Sequence, residues 1–101
     1  MNEADLDLEE GGQYLAEIDG KEVLFCRSGG KTYAIGKVCP HQGASLEGGK
    51  LRGRTISCPL HGARFDMSTG RALGSQYPPI EIFDVDVVDG EVRVSPAAGP
   101  E

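Results

Sequence analysis

Cys39-Pro40-His41-Gln42-Gly43 and Cys58-Pro59-Leu60-His61-Gly62 decide how this chain is read. Both histidines and two of the three cysteines fall in these two stretches, and 16 residues separate His41 from Cys58. Each stretch supplies one thiol and one imidazole, followed by a glycine. Proline narrows the backbone choices after each cysteine. Two stiff loops facing each other would present four soft-to-borderline metal ligands.

The ligand order limits the metal. Thiolate and neutral imidazole together suit zinc, copper and iron–sulfur chemistry. Zinc modules usually pair like ligands, two cysteines and then two histidines, around one tetrahedral ion. Here each loop contributes one of each kind. That alternation suits a binuclear cluster with chemically distinct irons, Cys39 and Cys58 on one and His41 and His61 on the other. Cys26 has no histidine neighbour and lies between Phe25 and Arg27, so it reads as a packed core residue.

Working outward, short β-branched runs are punctuated by 15 glycines and 6 prolines, the pattern of an all-β fold. Strands are expected at Gln13 to Ile18, Lys21 to Arg27 and Lys31 to Ile35, joined by turns at Asp19-Gly20 and Ser28-Gly29-Gly30. Two shorter ones are expected at Lys50 to Arg52 and Arg54 to Ser57. Near the C-terminus Phe83, Val85 and Val87 alternate with acidic residues, whereas Ile80 and Ile82 alternate in the opposite phase. A bulge or bend between Ile82 and Phe83 would restore one buried face. Asp89-Gly90 then turns the chain into a last strand over Glu91 to Ser95.

The chain of 101 residues fits one domain, 1–101, with a metal-binding insert at about 38–66. The termini, 1–10 and 96–101, are expected to be flexible, with Leu6 and Leu8 available to pin the head. The net charge of −6 argues against nucleic acid and against an anionic membrane surface. It favours solubility and steering towards a basic partner. The acidic head lacks an export leader, and no apolar run is long enough to span a bilayer, so a cytoplasmic location is expected.

The pattern C-P-H-x₁₆-C-P-L-H-G resembles the Rieske motif. Ala34-Ile35, Gly43 to Leu46, Phe65-Asp66 and the Asp89-Gly90 hairpin extend the resemblance over Gly12 to Ser95, to small Rieske ferredoxins. It implies a small antiparallel β-sandwich or barrel with an inserted cluster-binding subdomain. It further implies one Rieske 2Fe–2S cluster held by Cys39, His41, Cys58 and His61. The protein would be an electron carrier, a monomeric component rather than an enzyme, with a flavin-dependent reductase and a terminal aromatic-ring oxygenase as partners.

The resemblance also bears on potential. The respiratory, high-potential type carries two further cysteines, forming a disulfide, where this chain has Ala44 and Leu60. It carries hydroxyls where this chain has Ala63 and Phe65. Their absence implies a low-potential centre. Gln42, Leu46, Arg64, Tyr77 and Pro78 are expected at the rim of the cluster, with Pro78-Pro79 covering it. Two alternatives stand: the small Rieske subunit of a nitrite reductase, and a redox-sensing or zinc-binding module.

Overall fold

The computed structural model describes residues 3–18, 20–39, 43–59, 62–74 and 77–96. Strand β1 (Gln13–Ile18), β2 (Lys21–Ser28) and β3 (Lys31–Gly36) form an antiparallel meander with β2 in the centre. Its four residues Val23 to Cys26 are all fully buried. Alternate side chains of a strand face opposite ways. Leu24 and Cys26 enter one core, while Val23 and Phe25 enter a second. This run without apolar–polar alternation is a strand covered on both sides.

The second sheet is antiparallel, in the order β4 (Lys50–Arg52), β5 (Thr55–Ser57), β6 (Arg64–Asp66) and β7 (Ala72–Leu73). Its inward residues Leu51, Ile56, Phe65 and Ala72 pack with Leu24, Ile35 and Leu46 in the first core. The Gln13 side chain spans from β1 to this sheet's entry. Its Nε2 donates to the Gly49 carbonyl at 2.8 Å, and its Oε1 accepts from Gly48 N–H at 2.8 Å. Burying the large apolar residues of this core, such as Leu46, Ile56 and Phe65, contributes roughly 1.5–3 kcal/mol each.

A third pair, β8 (Phe83–Val88) and β9 (Glu91–Pro96), forms a hairpin through Asp89-Gly90. Both turn residues have positive φ, 52° and 78°, as a tight two-residue hairpin turn requires. The phase switch before Phe83 has a different outcome from a single restored face. Ile82 bridges to Ile35 and packs with the first core, whereas Phe83 enters the second with Val92. The chain changes cores at that point. Leu6 and Leu8 pack on the second core, as their position in the acidic head suggested. The nearly all-β architecture is the one expected from the sequence. Asp19 of the first predicted turn lies outside the described residues.

Candidate metal centre

The two Cys loops have the same backbone design. In the first, Cys39 N–H donates to the Ala44 carbonyl at 2.7 Å, and Gly43 N–H returns to the Cys39 carbonyl at 2.8 Å. In the second, Cys58 N–H donates to Ala63 at 2.7 Å, and Gly62 N–H returns to Cys58 at 2.9 Å. Gly43 and Gly62 have φ of 69° and 71°, the left-handed region that glycine adopts without steric cost. A difference in the sequence is thus absorbed: histidine is two residues after Cys39 and three after Cys58, yet both loops close on glycine and alanine at the same offsets.

Each loop is anchored at its base. Val38 bridges to Ser45, and Leu46 N–H donates to the Lys37 carbonyl at 2.7 Å. The second loop continues directly from the β5–β6 pair Ser57↔Arg64. Cys39 and Cys58 are 0% and 2% exposed and belong to one apolar core with Leu46, Ile56 and Phe65. Neither forms a disulfide. An ionised sulfur in such a place is costly unless a cation compensates it. Twin loops bringing two cysteines into one dry core fit a metal centre. His41 and His61, the other two candidate ligands, lie outside the described residues.

Cys26 has a different environment. It is fully buried in β2, and burial pushes its thiol up to about 12. A protonated thiol is a poor metal ligand. This agrees with its reading as a core residue.

The expected rim divides. Arg64 and Pro78 are exposed, and Tyr77 is half-buried against the first core. Leu46 is 0% exposed and is a core residue, packed in one apolar cluster with Ile56 and Phe65. Gln42 lies outside the described residues. Two exposed apolar residues beside the loops escaped the sequence reading, Val38 at 53% and Leu73 at 37% exposure. The only sequence signal was Val38's place next to Cys39.

Comparison with known proteins adds to this geometry. The profile of the Rieske [2Fe-2S] domain matches residues 1–96. The ferredoxin component of naphthalene 1,2-dioxygenase/salicylate 5-hydroxylase systems from Ralstonia sp is 42% identical over 67 residues. That match covers 66% of this chain and spans 64% of the relative's own length. The ferredoxin of carbazole 1,9a-dioxygenase from Nocardioides aromaticivorans IC177 is 33% identical, with a TM-score of 0.77 over 96% of this chain and 94% of that one. A chain in a complex of reduced oxygenase and oxidised ferredoxin in carbazole 1,9a-dioxygenase is 34% identical, with a TM-score of 0.74 over 88% of this chain and 93% of that one. Nitrite reductase small subunits resemble it at 20–22% identity, a likeness of fold alone.

Proposed function

This chain belongs to the Rieske [2Fe-2S] domain family, which carries one 2Fe–2S cluster, and on that premise we propose that it is a one-electron carrier of the ferredoxin type. The observation that carries the reading is the pair of matched loops with both cysteines in one apolar core. In this reading Cys39 and Cys58 would hold one iron, and His41 and His61 would hold the other. The bound cluster supplies reversible uptake and release of a single electron. The chain's work is to hold and tune it.

The residues around the loops favour a low potential. A negative charge added at a buried centre is stabilised by hydrogen-bond donors aimed at it. Ala63 and Phe65, both buried, offer no side-chain donor beside Cys58. Ala44 leaves the first loop without a second sulfur for a cross-link. The apolar wall of Leu46, Ile56 and Phe65 excludes water from the two cysteines.

The partners proposed are a flavin-dependent NAD(P)H reductase as donor and a terminal oxygenase acting on aromatic rings as acceptor. Homology to dioxygenase ferredoxins supports that place in the sequence of reactions. Among the described residues no helix is long and apolar enough to cross a membrane, which is compatible with a diffusing carrier. The test is an optical redox titration of the purified protein. A one-electron wave in the lower part of the family range of about −150 to +300 mV supports the proposal, and a midpoint above about +150 mV contradicts it.

A further inference from the structure

The chain is acidic in total but not at the end that bears the cysteine loops. Residues 37–79 hold six of the ten basic residues and two of the sixteen acidic ones, a local balance of +4. The rest of the chain carries −10. Of the two acids in that stretch, Asp66 is already paired with Arg54 at 3.0 Å.

Strand register puts the positive charge on one face. Lys50 is opposite Ser57, Ser57 opposite Arg64, and Arg64 opposite Leu73. Directly opposed residues share a sheet face. The intervening row of Leu51, Ile56, Phe65 and Ala72 faces the core that contains Cys39 and Cys58. Lys50, Arg64 and Leu73 therefore point outward, with Arg52 in the next row. Lys50, Arg52 and Arg64 are exposed and form no ion pair among the described residues. The Ser57↔Arg64 pair adjoins the hydrogen-bonded Cys58–Ala63 pair that closes the second loop. Asp66 lies in the row of Arg52, opposite Thr55, where Arg54 compensates it. Nine of the sixteen acidic residues lie on the head and on the β8–β9 hairpin, elements packed on the second core.

We propose that the outward face of β4–β7, centred on Lys50 and Arg64, receives a protein electron-transfer partner whose matching surface is acidic. The inference rests on the carrier reading and goes beyond it by assigning the polarity of the contact. Surface charges interact over about 8 Å at physiological salt, so an approaching protein responds to the face it meets rather than to the total charge. The acidic remainder disfavours the same partner elsewhere and so orients the encounter. Leu73, beside Arg64, supplies apolar contact within the charged face. The steering towards a basic partner that the net charge suggests is thereby reversed at this end.

The experiment uses flavodoxin hydroquinone, an acidic one-electron protein donor, with the holoprotein in stopped flow. One electron leaves the flavin and one enters the oxidised cluster. In wild type the second-order rate should fall as ionic strength rises. The double variant K50E/R64E should be about tenfold slower at low salt, with the salt dependence inverted, while its visible spectrum is retained. D84K/D86K on β8 changes net charge by the same amount in the other direction and should leave rate and slope near wild type. A wild-type rate that rises with salt, or an effect of D84K/D86K as large as that of K50E/R64E, overturns the inference. A preparation with no iron–sulfur absorbance overturns the carrier reading and this inference with it.

Discussion

Replacing Asp66 with asparagine tests how the second loop is held in place. Strand β6 runs from the loop to Asp66, whose carboxylate is 9% exposed. It accepts Ser68 N–H at 2.8 Å and Ser68 Oγ–H at 2.6 Å, and pairs with Arg54 Nε at 3.0 Å. Burial pushes the carboxyl's pKa up, but the Ser68 hydroxyl and N–H, Arg54 and Thr69 N–H outweigh it and hold the pKa below its ordinary value. Arg54 is 69% exposed, so the ion pair itself contributes less than about 1 kcal/mol. The Ser68 bonds to an ionised acceptor matter more, at about 1.5–3 kcal/mol for such bonds. Ser68 is exposed and can recover water, which keeps the loss for Asp66→Asn near 1–2 kcal/mol. For a domain of this size that is a fall in Tm of roughly 4–16 °C at pH 7. A group whose folded pKa is lowered stabilises above its unfolded pKa, about 3.9, and loses that contribution as pH falls through the folded value. The gap between wild type and variant should thus be constant from pH 7 to about 5 and shrink below about 4. Far-UV circular dichroism melts of the holoprotein at a fixed scan rate measure it. A gap under about 3 °C at pH 7, or one that widens as pH falls, would refute the reasoning.

Other consequences concern single positions. Gly70 has φ of 84°, and an added Cβ would lie 2.6 Å from the Ile80 carbonyl oxygen. Gly70→Ala should therefore cost about 2–5 kcal/mol, from backbone strain plus overpacking. Gly53→Ala, with φ of 57° and open space, should cost only about 1–2 kcal/mol, as compared by thermal melts. Ala63→Ser adds a hydroxyl beside the second loop. One charge-assisted hydrogen bond of about 1.5–3 kcal/mol corresponds to a potential raised by about 60–130 mV in a redox titration. Cys26→Ala should retain the full iron content, whereas Cys58→Ala should lose it, as measured by metal analysis.

Much of the fold was legible because its longer strands carry their own signals. β1, β2 and β3 are bounded by glycine turns, and Asp89-Gly90 announces the last hairpin. β6 and β7 carry no such signal: Arg64-Phe65-Asp66 holds a single apolar residue and Ala72-Leu73 is two residues long, whereas β4 and β5, no longer than β6, flank the turn glycine Gly53. The division into two cores was hidden as well. Nothing in Val-Leu-Phe-Cys, residues 23–26, tells a strand covered on both sides from any other apolar run. Leu46, expected at the rim, is buried with Ile56 and Phe65 in the first core, a tertiary contact that its local sequence does not carry.

The candidate centre was legible in its ligand pattern, since cysteine and histidine spacing is a local property of sequence. The equivalence of the loops was less so, because the two histidines differ in offset. It emerges only when Gly43 and Gly62 are seen returning to their cysteine carbonyls. The polarity of the surface needed the register. Lys50 and Arg64 are far apart in the chain, and each is opposite Ser57 only once β4, β5 and β6 are paired.

The central claim is that two cysteines and two histidines divide between two irons. Mössbauer spectroscopy of the oxidised, ⁵⁷Fe-enriched protein tests it most directly. The account predicts two quadrupole doublets of equal area with different isomer shifts, one for sulfur-ligated iron and one for iron bound by imidazole. A single doublet for both irons, or a protein that holds zinc and no iron, would contradict it.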